Sequence, residues 1–177
     1  MNIKNTTQEI VLGGLLLASG VILPMVFHLF GMTGPIFLPM HIPVLIAGFL
    51  LSPQLALIVG IMTPLLSSMF TGMPVMFPIA VIMAVELGVY ALAASISVRK
   101  LNMSTIPSLL IAMATGRIAA GITVALLVQL FGIKMNALLY LKAAVITGIP
   151  GILIQLAVVP ILVIAIKKYL KMSSVQA

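Results

Sequence analysis

Long apolar stretches, separated by short polar or Gly/Pro-rich breaks, run along the whole chain. An α-helix needs roughly 20 apolar residues to cross a hydrocarbon core of about 30 Å. Five stretches reach that length, and a sixth is too short to cross unaided. The pattern therefore predicts an all-α membrane protein, a six-transmembrane-helix bundle with a short second helix. The predicted spans are residues 7–30, 39–51, 54–73, 77–98, 104–131 and 138–169.

The spans leave no soluble segment over, so residues 1–177 are expected to form a single integral membrane domain. The first stretch could instead be interpreted as a signal peptide. It lacks an A-x-A-like cleavage site and continues to Phe30, which is long for a signal-peptide core. We therefore expect the first helix to be retained.

The basic residues predict how the bundle is oriented. Cytoplasmic loops of membrane proteins carry an excess of Lys and Arg. Only Lys134 falls on one side of the predicted spans, and the other side holds Lys4, Arg99, Lys100, Lys167, Lys168 and Lys171. Both termini are therefore expected in the cytoplasm, and loops 31–38, 72–76 and 132–137 are expected to face outward.

Composition supports the membrane assignment and excludes several kinds of function. Apolar residues make up 63% of the chain and charged residues 6%, whereas soluble domains carry roughly 25% charged residues. The chain has no cysteine, which excludes disulfides, thiolate chemistry and cysteine metal sites. Its net charge of +7 comes from cations at helix ends that do not interleave with aromatics, so no nucleic-acid surface is expected.

Away from the cytoplasmic ends of the predicted spans, three charged residues lie inside them: Glu86 in the fourth, Arg117 in the fifth and Lys142 in the sixth. Charged groups at this depth are costly and normally face the bundle or a cavity. One interpretation is a structural Glu86–Arg117 ion pair. A second interpretation is a polar pocket, open to the outside and walled by the last three helices, whose excess of cations favours a ligand with a negative group. Lys142 alternatively snorkels to the outer surface.

Further polar residues extend the predicted pocket. Tyr90 lies one turn from Glu86, and Thr147, Gly151 and Gln155 recur every four residues along the sixth helix, which residues 148–151 are expected to loosen. His28 and His41 flank the first outer loop, but two histidines without a nearby Asp or Cys are a poor set of ligands for a metal ion. The predicted substrate-binding residues are Glu86, Arg117, Lys142, Tyr90, Gln155, His41 and Thr147, and no metal site is predicted.

The sequence argues against an intramembrane enzyme. It contains no G-x-S-x-G, no aspartate and no H-E-x-x-H, the motifs that serine, aspartyl and metallo-proteases need. The chain could also be a free-standing small carrier, or a structural subunit with a buried ion pair. A single unit of 177 residues is small for alternating access, and buried charges are not needed in a purely structural subunit.

Several segments resemble the substrate-binding S components of energy-coupling factor (ECF) transporters. Residues 34–53, GPIFLPMHIPVLIAGFLLSP, are similar to the family's apolar entry into a short helix and its G-F/L-L-x-x-P turn. TPLLSS at 63–68 and TGMP at 71–74 look similar to a vitamin-associated branch. The resemblance covers nearly the whole chain.

This resemblance implies partners and a mode of transport. The family's A-x-x-x-A docking motif matches Gly14 and Ala18, where glycine replaces the first alanine but keeps the surface small. The implied partners are a transmembrane T component and two cytoplasmic ATPases, in a bacterial cell membrane. This chain is expected to bind no cofactor, because ATP is used by the partners, and to deliver its ligand by toppling in the bilayer.

The resemblance also implies a ligand class, namely a water-soluble vitamin or vitamin precursor. Asn2 stands where the family's metal-ion branch has histidine. Pantothenate, nicotinate and the hydroxymethylpyrimidine or pyridoxine type remain open. Arg117 and Lys142 favour a carboxylate, whereas a Glu86 that is free of Arg117 favours a hydroxylated pyrimidine or pyridine. Loop 31–40 is expected to close over the ligand.

Overall fold

A computed structural model describes residues 6–31 and 34–173, with side chains described as far as residue 169. Within these ranges the chain is helical and contains no strand. A π-helical turn, Met76–Ala80, leads into the fifth α-helix. The α-helices are α1 Thr6–Leu29, α2 Gly34–Phe37, α3 His41–Leu50, α4 Pro53–Thr71, α5 Val81–Arg99, α6 Thr105–Phe131 and α7 Ala137–Ser173.

Five of the described helical segments are long and apolar enough to cross a membrane. The segment Gly34–Leu50 is the shorter apolar one, and it corresponds to the predicted short second helix. Large apolar side chains cover the outer faces of the long helices, among them Leu15, Ile118 and Leu153. The predicted six-helix bundle fits this arrangement, and the chain is a multi-pass membrane protein.

The second helix differs from the prediction, which made residues 39–51 one continuous segment. Instead α2 ends at Phe37 and α3 begins at His41, and between them Leu38 has a φ of 50°. A residue that precedes proline is disfavoured in the α region because its backbone clashes with the proline ring. Pro39 therefore breaks the helix at Leu38, and the predicted outer loop contains a helical turn of its own.

The short helix α3 is the most enclosed part of the bundle. All ten of its residues are buried, and it packs against α1, α4, α5 and α7. At Gly48 an added Cβ would lie 2.7 Å from the backbone oxygen of Ala91, so glycine is required for this approach to α5. A helix of ten residues is about 15 Å long, so α3 spans only part of a bilayer and depends on protein contacts.

Two predicted features of the long helices involve prolines. The fourth span was predicted to begin at Phe77, but Phe77 has extended backbone before Pro78, and α5 begins at Val81. The predicted loosening of the last helix at residues 148–151 does not interrupt it. Instead α7 remains helical through Pro150 and Pro160.

A polar network joins α1, α5 and the turn between α3 and α4. Glu9 accepts a hydrogen bond from the backbone N–H of Ser52 and lies 3.9 Å from Arg99. Arg99 donates to the carbonyl of Leu50 over 2.6 Å, and the buried Ser95 hydroxyl donates to the next carbonyl over 2.8 Å. These bonds hold the end of α3 that is remote from His41. We call Glu9, Ser52, Ser95 and Arg99 the α3 anchor.

Candidate functional site

Glu86 is the centre of a buried polar cluster and is placed there by α5. Its side chain points into the bundle, and the residue is 1% exposed. Tyr90 follows one helical turn later and is also buried. Residues four apart lie on the same face of a helix, so α5 presents a carboxylate and a phenol side by side.

Arg117 on α6 pairs with Glu86. Arg117 Nη1 lies 2.7 Å from Glu86 Oε1, and the arginine side chain is 14% exposed. The neighbouring Gly116 makes this approach possible, because a Cβ there would overlap the ring of Tyr90. The ion pair that the sequence left open is therefore present, and it joins α5 to α6.

His41, the first residue of α3, completes what we call the central cluster, namely His41, Glu86, Tyr90 and Arg117. Its Nε2 atom lies 3.8 Å from Glu86 Oε1, and its ring meets that of Tyr90 edge to face with centroids 5.5 Å apart. The break at Pro39 places His41 here, because it lets α3 begin inside the bundle.

Besides α3, α5 and α6, the helix α7 also borders the central cluster, through a face that carries glycines. At Gly148 an added Cβ would lie 3.7 Å from Arg117 Nη2 and 3.1 Å from a side-chain carbon of Leu38. At Gly151 it would lie 2.7 Å from the backbone of Phe37. The fully buried Gln155 follows one turn later. This face therefore contacts Arg117 and supports α2, the segment predicted to close over a ligand.

Several polar atoms of this region are buried without a hydrogen-bond partner among the described residues. They are both ring nitrogens of His41, Arg117 Nη2 and, on α7, both amide atoms of Gln155; Glu86 Oε1 has no hydrogen bond either but is held in the ion pair with Arg117. The Glu86–Arg117 contact is thus an ion pair without a well-directed hydrogen bond to Oε1. An unpartnered buried polar group costs about 1–3 kcal/mol, and native proteins contain few. Such a concentration is typical of a site that a ligand completes.

The described residues contain no group of three or more His, Asp or Glu side chains arranged to hold a metal ion. His41 and Glu86 are two such groups, and their neighbour is the cationic Arg117. A guanidinium beside them is unfavourable for a bound cation. The groups that these residues present are hydrogen-bond donors and acceptors and one ion pair.

Two predicted site residues are on the exposed surface. Lys142 and Thr147 are exposed on α7, whereas Gly151 and Gln155 are buried. The predicted polar stripe at every fourth residue is wrong in this respect. At 3.6 residues per turn each four-residue step drifts by about 40°, which carries Thr147 off the buried face. A ligand contact by Lys142 or Thr147 stays a prediction.

The two predicted sets of small residues occupy opposite environments. Gly14 and Ala18 are exposed on α1, and an added Cβ at Gly14 would have nothing within 4 Å. Ala112, Gly116 and Ala120 are buried on α6, where they pack within the bundle. Only the α1 pair is therefore open to another protein.

Sequence reasoning missed two residues near the cluster. Tyr140 on α7 is partly buried and packs against the buried group that contains Ile82 and Ala120, which lie about one turn from Glu86 and Arg117. Leu38 covers Gly148 beside Arg117. Tyr140 follows the loop expected to face outward and has the amphipathic character of an interface residue. Leu38 gives no signal among so many apolar residues.

Comparison with known proteins identifies the kind of molecule to which this site belongs. A family model described as "ECF transporter, substrate-specific component" matches residues 8–163, nearly the whole chain. No curated protein and no solved structure matches it. The matched range includes every helix that forms the central cluster and the exposed small residues of α1. The chain belongs to the substrate-specific components of ECF transporters.

Proposed function

We propose that this subunit captures a small water-soluble vitamin or vitamin precursor in the central cluster. The observation that supports it most strongly is the set of buried polar atoms without a hydrogen-bond partner on His41 and Arg117 of the cluster and on Gln155 of the α7 face. A ligand that reaches these atoms replaces lost hydration with hydrogen bonds. Family membership indicates that the ligand is a transported substrate, and the central cluster is its proposed binding site.

The segment 31–40 is the proposed lid. Its helical turn α2 rests on Gly151, and Leu38 rests on Gly148. Both contacts are made to the α7 face beside Arg117, so lifting this segment uncovers the guanidinium. Among the described residues of this segment, the helical turn comprises four, and a turn of this length has few hydrogen bonds to break when it moves.

The exposed face of α1 is the proposed docking surface for the T component. Gly13, Leu16 and Gly20 face the bundle, whereas Gly14 and Ala18 face outward. Small residues let a second helix approach closely. Two cytoplasmic ATPases then drive toppling, which turns the loaded site from the outside to the cytoplasm of a bacterial cell.

Calorimetry on the purified chain in detergent tests the binding proposal. The panel contains pantothenate, nicotinate, pyridoxine and 4-amino-5-hydroxymethyl-2-methylpyrimidine. We expect one compound to bind, and Arg117→Ala and Glu86→Ala to weaken that binding at least tenfold. Lys134→Ala is the control, because it removes an exposed cation outside the cluster. If no compound binds, or if both cluster variants bind like wild type, the pocket proposal fails.

Co-purification with the T component tests docking. Gly14→Leu fills open space on α1 and is expected to abolish the complex without unfolding the chain. Ala125→Leu adds a similar bulk to the exposed surface of α6 and is expected to leave it intact. An intact complex with Gly14→Leu would count against this face. Uptake into vesicles that contain this chain alone would indicate a free-standing carrier.

A further inference from the structure

Each carboxylate side chain of the bundle lies beside an arginine. The chain has only two carboxylate side chains, and each one lies beside one of its two arginines. Glu9 and Arg99 belong to the α3 anchor, and Glu86 and Arg117 belong to the central cluster. The formal charges of the second pair cancel inside the site. His41, Tyr90 and Gln155 contribute hydrogen-bonding groups rather than fixed charges.

This balance bears on the charge of the ligand. A carboxylate that binds Arg117 has to compete with Glu86 and must stand next to it in a buried environment, where like charges repel strongly. Lys142, the second cation expected to attract an anion, is exposed on α7. The cluster therefore offers no uncompensated positive charge among its four residues.

The unpartnered atoms define what the ligand has to supply instead. Arg117 Nη2 and the Gln155 amide nitrogen donate, and the Gln155 amide oxygen accepts. The Glu86 carboxylate is paired with Arg117 and has further lone pairs that accept. His41 in its neutral form offers one donor and one acceptor. The rings of His41 and Tyr90, which meet edge to face, add an aromatic surface beside these atoms. Such a set suits a flat molecule that both donates and accepts.

On the basis of the proposed function, we infer that the central cluster binds an uncharged heteroaromatic compound with amino, amide or hydroxyl groups, and that it discriminates against carboxylates. The Glu86–Arg117 ion pair is the source of this selectivity. Glu86 occupies the position on Arg117 that a ligand carboxylate would need, and its second role is to accept a hydrogen bond from the ring substituent.

The test uses compounds that differ in charge but hardly in shape. Nicotinamide is compared with nicotinate, and pantothenol with pantothenate, by calorimetry on the full chain in detergent. The aminopyrimidine named above serves as a neutral ring without an anionic partner. We expect a neutral compound to bind, and within any pair that binds we expect the carboxylate to be at least tenfold weaker.

Tighter or equal binding of a carboxylate overturns this inference and leaves the vitamin-binding function standing. A complete lack of binding by these five compounds and by pyridoxine overturns the function and the inference with it. Glu86→Gln provides a second measurement, because it frees Arg117 while keeping the shape of the side chain. The affinity ratio within a pair should then shift about tenfold toward the carboxylate, and an unchanged ratio contradicts the assigned role of Glu86.

Discussion

The contact between Gly116 and Tyr90 determines how closely α6 approaches α5 beside the cluster. A Cβ at Gly116 would overlap the Tyr90 ring and would stand 2.9 Å from the backbone oxygen of Glu86. Carbon atoms in normal contact are about 3.5–4.0 Å apart. Gly116→Ala therefore forces the ring out of its position and pushes the backbone of α5 away from α6.

Two opposing terms set the size of the effect. Overpacking a buried site costs about 1–3 kcal/mol, and replacing a helical glycine by alanine returns about 0.5–1 kcal/mol. The net loss of stability is thus between about 0 and 2.5 kcal/mol. Ligand binding should be more sensitive to this substitution than stability is, because Tyr90 moves away from both His41 and Glu86. We expect at least a tenfold loss of affinity.

The assay combines thermal unfolding in detergent with calorimetry on a compound that the wild type binds. Gly14→Ala is the first control, since its Cβ meets nothing within 4 Å, and it is expected to melt at the same temperature or slightly higher. Gly20→Ala is the second, because its Cβ meets the Thr63 side chain between α1 and α4. It should lower the melting temperature while the affinity stays normal.

Two outcomes would refute the reasoning. If Gly116→Ala melts and binds like wild type, Tyr90 does not pack against α6 as described. If Gly20→Ala loses as much affinity as Gly116→Ala, the loss reflects general destabilisation and not the position of Tyr90. A selective loss in Gly116→Ala alone supports the cluster as the binding site.

Three further variants test the lid and the α3 anchor by the same two measurements. Gly151→Ala pushes the α2 backbone outward and should weaken ligand binding at least fivefold, whereas Gly14→Ala should not; equal affinities would contradict the lid contact. Glu9→Gln weakens the charge-assisted hydrogen bond from Ser52, a type worth about 1.5–3 kcal/mol, so a lower melting temperature is expected. Ser95→Ala leaves a buried carbonyl short of a donor and should cost about 1 kcal/mol; an unchanged melting temperature in either anchor variant would show that the anchor adds no stability.

Hydropathy alone predicted most of the fold, because the length and spacing of apolar runs are set by the bilayer. The errors lie where a proline acts within an otherwise apolar run. Pro39 divides the second helix, and Pro78 moves the start of α5 to Val81. Both prolines stand within continuous apolar runs, so hydropathy does not reveal their effect. The backbone preference of the residue before each proline decides where the helix breaks or begins.

Part of the candidate site could be predicted, because ionisable residues inside membrane-spanning helices are rare and therefore stand out in the sequence. The sequence placed Glu86, Arg117, Tyr90 and His41 in one predicted site, and the structure brings these four side chains together. Their binding of a ligand stays a prediction. The position of Lys142 was not predictable, because the rotation of α7 depends on contacts such as the one between Gly151 and α2 that no local pattern encodes.

The helix α3 connects the central cluster to the α3 anchor. Its first residue, His41, faces Glu86, and its last carbonyl, at Leu50, accepts a hydrogen bond from Arg99. The helix is buried along its whole length, and close-packed interiors transmit displacement instead of absorbing it. A ligand that moves His41 therefore has to move α3 as a rigid unit against the anchor. The anchor includes Glu9 of α1, the helix that carries the proposed docking face, so the site and that face share one rigid connection.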